Sequence, residues 1–254
     1  MNSSVDGMGK SEILKNMINW DITDIFLYPG GSNYVFLVKM TSSGNELCRQ
    51  EPPPFIYGIY KPVSGERPLR DFPTGTLHLR ERAAYIVSEI LGWPRIPPTV
   101  VRDGPYGSGS VQFYIVSDKK DNFFTLRDKC LNLFLPIAMF DVLVFNADRK
   151  GGSCLKSLID GNLWAIDHGL TFNPKACLRT VMLEFNGLPY PPELKVGLVK
   201  LMRTLSSNKC QNSELSELLS LQELDYLGTR AEQMLENGSF PILDPRLNVP
   251  WPFL

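Results

Sequence analysis

Two aspartates with distinctive neighbours are the residues of this chain best suited to chemistry. An apolar segment that begins at Phe140 leads into Asn146, Asp148 and Arg149, and a second apolar stretch, Leu-Trp-Ala-Ile, ends at Asp167 in the sequence Asp-His-Gly. A Gly-rich turn and a hairpin-like passage separate the two acids. The pattern therefore predicts two carboxylates at the ends of two buried elements.

Two carboxylates in this order suit phosphoryl transfer. In that reaction one carboxylate orients the nucleophilic hydroxyl, and another holds Mg²⁺ across the phosphates of a nucleotide. Neither acid is informative alone. The order Asp-Arg, β-turn-β, Ile-Asp-x-Gly resembles the order of the catalytic loop and the metal-binding aspartate in kinases.

Composition limits the classes of partner. The chain has 254 residues, of which 43% are hydrophobic, so it can bury the core of one large domain or of two lobes. Its formal net charge of -1 leaves no basic excess to neutralise the phosphates of a nucleic acid. We therefore expect no nucleic-acid partner.

The cysteines form no metal-binding or disulfide pattern. They are odd in number, without a C-x-x-C pair and without clustering near the two histidines: Cys48, Cys130, Cys154, Cys177 and Cys210. Zinc is therefore not expected. No window reaches the roughly 18 apolar residues of a membrane span, and the N-terminus lacks a continuous apolar run. We expect a reduced, cytoplasmic protein without a stable membrane anchor.

The N-terminal part is predicted to begin with a short helix and a β-hairpin. Apolar residues at helical spacing indicate a helix over 11–21, and two β-rich runs flank a Pro-Gly-Gly-Ser turn. In that turn Gly30, Gly31 and Ser32 are candidates for a phosphate-covering loop, because glycine lets backbone N–H groups approach nucleotide oxygens. An ordinary hairpin turn explains the same residues, since the pattern G-x-G-x-x-G is absent.

Lys61 and Glu81 form a candidate ion pair. Lys61 ends the predicted strand FIYGIYKP, where its stem must cross apolar neighbours to reach a polar partner. Glu81 lies in the next predicted helix, over 77–93, which Thr76 would cap. A solvated lysine at a strand end is the alternative for Lys61, and Glu89 is the competing partner.

Two strands around a Gly-Ser-rich turn follow this helix. After them, Tyr114, Ile115 and Val116 would form a hinge whose backbone groups hydrogen-bond an adenine. This expectation depends only on the position of the three residues in the order of elements.

The rest of the chain is predicted to be mostly helical. A nearly continuous apolar stretch over 126–145 indicates either one kinked helix or two helices that meet at Pro136. Amphipathic helices are also predicted over 192–205 and 213–238, and an irregular C-terminal tail would pack back onto the domain.

The chain resembles the phosphatidylinositol 3- and 4-kinase superfamily, in particular the type II phosphatidylinositol 4-kinases and their small bacterial relatives. N-x-D-R stands where protein kinases have H-R-D, and D-H-G stands where they have D-F-G. The similarity covers roughly 25–175 and lies in five segments: GGSNYVFLV, IYKP, LRERAAYIV, FNADR and IDHGLTF. It implies a two-lobed, protein-kinase-like α+β fold in a single domain, 1–254, with a β-rich N-lobe at 1–116 and a mostly helical C-lobe at 117–254.

The resemblance also implies roles for the candidate residues. Lys61 would contact the nucleotide phosphates while Glu81 braces it, Asp148 would be the catalytic-loop aspartate, and Asp167 would bind Mg²⁺. Arg149 has two open roles: it would either meet the transferred phosphate or form a structural ion pair within the loop.

Three further residues near these acids have open roles. The family commonly has a metal-binding asparagine five residues beyond the catalytic aspartate, and this chain has Ser153 there, a weaker Mg²⁺ ligand. His168 is expected to make a hydrogen bond that orients its loop. Asn146 is expected to hydrogen-bond the loop backbone.

The resemblance implies ATP with Mg²⁺, or Mn²⁺ in its place, as cofactors and a hydroxyl group as the phosphate acceptor. The type II lipid kinases insert a cysteine-rich, lipid-modified segment between the lysine and the following helix, and this chain has no cysteine there. A protein serine or threonine, a small alcohol and an inositol lipid all remain open as acceptors. Two alternatives keep the fold: a catalytically weak nucleotide-binding pseudokinase or scaffold, and an adenylyl transferase.

Overall fold

The chain forms two compact units. The computed structural model describes residues 8–29, 33–42, 54–207 and 213–254. The first unit comprises Met1–Arg82 and Pro97–Val116, and the second comprises Ala83–Ile96 and Ser117–Leu254. One division lies after residue 116, and Ala83–Ile96 groups with the second unit, so the lobes at 1–116 and 117–254 stay a prediction. A single domain over 1–254 stays a prediction.

An antiparallel sheet is the framework of the first unit. Five strands lie in the order β1-β2-β3-β5-β4. Their bounds are β1 (Asp21–Leu27), β2 (Phe36–Thr41), β3 (Phe55–Pro62), β4 (Thr99–Gly104) and β5 (Gly107–Phe113). Helix α1 (Lys10–Asn19) precedes the sheet, and helix α2 (Leu77–Leu91) lies between β3 and β4 in the chain. The predicted hairpin forms as β1 and β2, but Gly30, Gly31 and Ser32 lie outside the described residues.

The core of the first unit lies between α1 and one face of the sheet. Residues along β3 alternate between half-buried and buried positions, so one face of this strand packs inward. The buried cluster contains Ile13, Met17, Val38, Met40, Ile56, Tyr60, Val100 and Val111. The guanidinium of Arg102 donates to the carbonyls of Met17 and Trp20 at 2.7 and 2.8 Å, which satisfies the C-terminal end of α1. Lys61 lies on the half-exposed face of β3 because it follows the buried Tyr60.

The second unit is mostly helical and contains one small hairpin. Its elements are α3 (Phe123–Cys130), α4 (Leu135–Val144), β6 (Cys154–Lys156), β7 (Leu163–Ala165), α5 (Pro192–Leu205), α6 (Glu214–Leu218) and α7 (Leu221–Asn237). The predicted apolar stretch is two helices, separated by a 3₁₀ turn at Leu131–Phe134. Pro136 lies in the first turn of α4, where a missing N–H removes no helical hydrogen bond.

The helix predicted over 213–238 is divided in two. Ser220 lies between α6 and α7, and its side chain accepts a hydrogen bond from the backbone N–H of Glu223. The Glu223 carboxylate accepts from the backbone N–H of Ser220 in return. This capping box starts a new helix in spite of the continuous apolar pattern.

The predicted α+β class is confirmed, with a β-rich first unit and a mostly helical second unit. Among the described residues, no helix combines the length and the apolar composition that crossing a bilayer requires.

Substitution by alanine should have opposite effects on stability at two glycines that lie inside helices. A Cβ at Gly197 would lie 2.5 Å from Nε1 of Trp93 and 2.7 Å from the carbonyl of Leu91, whereas at Gly228 the nearest atom would be Cδ1 of Leu205 at 3.8 Å. We expect Gly197→Ala to lower the free energy of unfolding by about 1–3 kcal/mol through overpacking. Gly228→Ala should raise it by roughly 0.5–1 kcal/mol, because alanine favours the helix. Chemical denaturation of both variants measures the difference, and effects of the same sign would contradict this packing.

Candidate active site

In the first unit, Lys61 and Glu81 form an ion pair. Nζ of Lys61 lies 2.6 Å from Oε1 of Glu81, and their side chains are 24% and 6% exposed. Strand β3 supplies the lysine and the first half of α2 supplies the buried glutamate. Glu89, the competing partner, lies on the exposed side of α2. The ammonium is therefore held at the end of its strand by a carboxylate that has little access to water.

In the second unit, Asn146 links the end of α4 to the loop that carries Asp148. Helix α4 ends at Val144, and the next residue, Phe145, adopts a left-handed conformation with φ 55°. The Asn146 side-chain carbonyl accepts the backbone N–H of Asp148 at 2.9 Å, and its amide donates to Oδ1 of Asp141 at 2.8 Å. These bonds determine where the chain turns after the helix, as expected for an asparagine in a turn.

Arg149 is fully buried, and all of its donors are used. Nε and Nη2 donate to the two carboxylate oxygens of Asp141 at 2.8 and 3.0 Å, forming a bidentate pair. Nη1 donates to the carbonyls of Ser153 and Ile166 at 2.9 and 2.7 Å. The remaining Nη2 proton points to Nε2 of His168, 2.9 Å away. Because a guanidinium has five N–H donors, none is left for a phosphate.

In this network Arg149 has the geometry of a structural ion pair, which is one of the two roles that the sequence left open. Burial lowers the pKa of Arg149, but Asp141 and other acidic groups outweigh burial and the net pKa is raised. His168 must accept through Nε2, since arginine only donates, so its proton is on Nδ1 and the imidazole is neutral. His168 therefore orients the loop, as its sequence context predicts.

Asp148 occupies a different environment from its neighbour Arg149. Its carboxylate is 33% exposed and lies 3.3 Å from Nζ of Lys150. Burial raises the pKa of Asp148 above the ordinary carboxyl value, Lys150 and Arg149 act in the opposite direction, and the charge of Asp167 raises it further. The two carboxylates are therefore close enough to interact electrostatically within one unit.

The β6–β7 hairpin brings Ser153 to Asp167. Cys154 pairs with Ala165 at the base of the hairpin, and the N–H of Ile166 donates to the carbonyl of Ser153 at 3.1 Å. The hydroxyl of Ser153 then donates to Oδ2 of Asp167 at 3.1 Å. Ser153 therefore lies directly beside Asp167, the candidate metal ligand.

The oxygen donors at this position fit a divalent cation shared with phosphates. Asp167 is exposed, and Ser153 supplies a hydroxyl oxygen. Asp148 supplies a second carboxylate, whose pKa the charge of Asp167 raises. Mg²⁺ prefers oxygen ligands and commonly takes one or two carboxylates with substrate phosphates and waters. Over the described ranges, no group of three or more His, Cys, Asp or Glu side chains forms a site made by the protein alone.

Within the residues that the structure describes, three residues other than glycine have positive φ, and all three lie in or beside this site. They are Phe145, Asp167 and Phe172, with φ of 55°, 59° and 64°. Each such conformation costs on the order of 1–3 kcal/mol and persists only where surrounding contacts determine it. The backbone at Phe172 is held by a 2.6 Å bond from its N–H to the carbonyl of Val144. Strain is therefore concentrated where the two acids are positioned.

The segment 177–181 and the C-terminal tail hold the loop from outside. The N–H of Arg149 donates to the carbonyl of Arg179, and the N–H of Val181 donates to the carbonyl of Arg149, at 3.0 and 3.1 Å. The N–H of Gly151 donates to the carbonyl of Phe253 at 2.9 Å. A Cβ on Gly151 would lie 2.7 Å from the ring of Phe124, so this loop also packs closely on α3. The tail packs back onto the fold, as the sequence predicts.

The remaining candidate residues belong to the predicted hinge and to the predicted phosphate-covering loop. Tyr114 follows β5, and its N–H donates to the carbonyl of Tyr57 at 3.0 Å, so that donor is engaged within the sheet. Val116 is half-buried at the end of the first unit. Gly30, Gly31 and Ser32 lie outside the described residues, so a phosphate-covering loop stays a prediction, as does the adenine contact.

Sequence reasoning missed Asp141 and Lys150. Asp141 is the lone acid in the apolar helix α4, and a charge in such a helix requires a buried partner. That signal was available from the sequence. Lys150 follows Arg149 directly, but its proximity to the carboxylate of Asp148 depends on the extended backbone, with φ −94° and ψ 161°.

A relative of this chain is known from Mycobacterium tuberculosis (strain ATCC 25618 / H37Rv). Protein Rv2133c is 34% identical over 232 residues, which cover 78% of this chain and 82% of that protein. The chain belongs to the family of Protein Rv2133c. No model of a described protein family matches the sequence.

Solved structures with weak likeness to the fold of this family member include several kinases. Golgi casein kinase with Mn/ADP bound has a TM-score of 0.48 at 14% identity, over 90% of this chain and 75% of that chain. Hydra Fam20 with sugar has a TM-score of 0.49 at 12% identity, over 89% and 87%. The Helicobacter pylori proinflammatory kinase CtkA has a TM-score of 0.49 at 11% identity, over 87% and 93%. Likeness of this strength establishes no activity, and nearness to type II phosphatidylinositol 4-kinases stays a prediction.

Removing the guanidinium of Arg149 should destabilise the protein strongly. Arg149→Met would leave the Asp141 carboxylate, which is 1% exposed, without its cation. We expect the free energy of unfolding to fall by about 3–5 kcal/mol, measured by chemical denaturation. Arg127→Met is the matched control, because it breaks the partly exposed pair with Glu184 and should change stability by roughly 1 kcal/mol or less. Equal losses in the two variants would show that burial of the pair does not matter.

The raised pKa of Asp148 predicts a pH-dependent gain in stability when its charge is removed. A carboxyl with a raised native pKa binds its proton more tightly when folded, so its ionisation destabilises the native state above that pKa. Asp148→Asn should therefore raise the melting temperature at pH 7, and the gain should disappear below the ordinary value of 3.8.

Asp160 provides a control of opposite sign. Burial raises its pKa, but hydrogen bonds from Ser157 and Asn162 outweigh burial and lower it overall. Asp160→Asn should therefore reduce stability at pH 7 and lose that effect as the pH falls. A lower melting temperature for Asp148→Asn at pH 7 would contradict the desolvation of its carboxylate.

Proposed function

We propose that this protein is an ATP-dependent phosphotransferase that moves the γ-phosphate of Mg-ATP to a hydroxyl acceptor. One observation carries the proposal: two interacting carboxylates, Asp148 and Asp167, are anchored in one unit by the buried network of Arg149. Phosphoryl transfer depends on positioning and on charge stabilisation, and both require groups that do not move.

Asp148 would act on the acceptor. Its carboxylate is partly exposed, and its raised pKa makes it a better proton acceptor than an ordinary aspartate. As the acceptor oxygen forms its bond to the γ-phosphorus, the bond from that phosphorus to the β,γ-bridging oxygen breaks. The acceptor proton passes to Asp148, and ADP leaves with the electron pair of the broken bond.

Asp167 and Lys61 would act on the donor. Asp167 and the hydroxyl of Ser153 would hold Mg²⁺ or Mn²⁺, which supplies positive charge against the phosphate oxygens. The Lys61 ammonium, braced by Glu81, would neutralise further phosphate charge.

Ser153 favours a second candidate, a nucleotide-binding pseudokinase. Its hydroxyl donates to Asp167, where the resembling family commonly has an amide oxygen as a metal ligand. A weaker metal site would bind nucleotide but support little transfer. Stabilisation by ATP without any hydrolysis or transfer would favour this candidate.

The roles of the two aspartates can be separated by variants. Wild-type protein should gain stability from ATP only when Mg²⁺ is present, by about 2.7 kcal/mol at 100 times the dissociation constant. Asp167→Asn should lose this Mg²⁺-dependent gain because the metal loses its carboxylate. Asp148→Asn should keep it, but should lower the rate of ATP hydrolysis or transfer by roughly 10²-fold or more.

Asp128→Asn is the control for both variants, because its side chain is 88% exposed in α3. It should match the wild type in binding and in rate. Unchanged Mg²⁺-dependent ATP binding in Asp167→Asn would refute the metal role. Unchanged turnover in Asp148→Asn would refute the proton-acceptor role.

A further inference from the structure

The segment that pairs with the Asp148 loop brings a second arginine to it. Arg149 and Thr180 form a parallel β-bridge, in which Arg149 donates to the carbonyl of Arg179 and accepts from the N–H of Val181. Thr180 is held from its other side by a 2.7 Å bond from its N–H to the carbonyl of Asn248. The position of Arg179 beside the loop is therefore determined by backbone bonds.

The register of this bridge places Arg179 and Asp148 on the same side. Directly paired residues of a parallel ladder point to one side, and the residues before and after them point to the other. The bridged residues, Arg149 and Thr180, are 0% and 5% exposed and so define the inner side. Asp148 and Arg179 precede them and are both half-exposed. Lys150 follows Arg149, and its 3.3 Å contact with Asp148 places its ammonium on the same side.

Arg179 differs from Arg149 in the use of its donors. All five N–H groups of Arg149 have acceptors, whereas in the part of the chain that the structure describes the guanidinium of Arg179 makes no hydrogen bond or ion pair. A half-exposed guanidinium presents a planar fork that matches the oxygens of a phosphate or a carboxylate. Lys150 lies 3.3 Å from the Asp148 carboxylate, and Arg179 adds a second positive charge on the same side of the bridge.

We propose that Arg179 binds an anionic group of the acceptor, so that the substrate is an alcohol with a phosphate or carboxylate near its reacting hydroxyl. This inference rests on the proposed function, in which Asp148 receives the proton of that hydroxyl. Asp167, Ser153 and Lys61 are assigned to the nucleotide. Arg179 shares the side of Asp148 and thereby lies with the acceptor. The arginine determines specificity, and it takes no part in the transfer itself.

Acceptor pairs that differ only in charge test this inference. One arm compares glycerol 3-phosphate with glycerol, and the other compares a serine peptide that has aspartates beside the serine with the same peptide carrying asparagines. Transfer of labelled γ-phosphate from ATP is measured for each. Wild-type protein should prefer the anionic member of at least one pair by about tenfold or more in kcat/KM, the size expected for a charge-assisted hydrogen bond. The arm that shows the preference identifies the source of the anion.

Substitutions at Arg179 should remove the preference for the anionic acceptor by weakening its binding. Arg179→Gln should raise KM for the anionic acceptor by about tenfold while its KM for the neutral partner changes little. Arg179→Lys should restore part of the preference because it keeps the charge but not the fork. Lys175→Gln, which removes an exposed positive charge four residues before Arg179, should retain the wild-type preference.

Three results would overturn the inference. The first is a wild-type protein that hydrolyses ATP but shows no preference for either anionic probe, and this comparison stands whether or not Arg179→Gln folds. The second is an equal loss of rate with charged and neutral acceptors in Arg179→Gln, which would place the arginine on the nucleotide. The third is a preference that persists in Arg179→Gln. Failure of the proposed function would give a different result from these three, because the wild type would then show no Mg²⁺-dependent binding of ATP.

Discussion

The buried ion pair between Arg149 and Asp141 is the interaction on which the rest of the candidate site depends. Both side chains are almost without access to water, and a buried charge is tolerated only when its hydrogen bonds are complete. The guanidinium meets this requirement by bonding to α4, to the start of the β6–β7 hairpin and to the residue before Asp167. Three separate segments are thereby fixed around one cation. The hydrogen bonds of Arg149 therefore fix the positions of Asp148 and Asp167.

Adjacent residues on this framework have opposite roles because Arg149 pairs with Thr180 in a β-bridge and the backbone at Lys150 is extended. Alternate side chains of an extended chain point in opposite directions, so Arg149 points inward while Asp148 and Lys150 share the accessible side. The same alternation in the paired segment buries Thr180 and leaves Arg179 half-exposed. Desolvation and the charge of Asp167 keep the pKa of Asp148 raised, and the strained backbone at Asp167 holds the second carboxylate. Asp148 and Asp167 are thus held in unfavourable states at the surface. The buried Arg149 that positions them has an acceptor for every N–H donor.

Sequence patterns were most reliable where alternation or helical periodicity decided the bounds of an element. The predicted strand that contains Lys61 and the predicted helix over 192–205 have the bounds of β3 and α5, because alternation and helical periodicity are strong there. Glu81 was correctly preferred to Glu89 as the partner of Lys61. The divided helix at Ser220 was missed, since a capping box interrupts an apolar pattern without changing it. For Arg149 the sequence left a choice that depends on Asp141, an acid eight positions earlier on a helix.

By itself, the sequence determined the residue types available for chemistry, their order, and the α+β arrangement of strands and helices, because these follow from local composition and periodicity. Only the tertiary structure decided which of those residues is buried and hydrogen-bonded in the core and which stays accessible to a ligand. That decision depends on the register between the Asp148 loop and segments about 30 and 100 residues further along, at Arg179 and Phe253. Local periodicity carries no information about such pairings, since a shift of one residue would exchange the inner and outer sides.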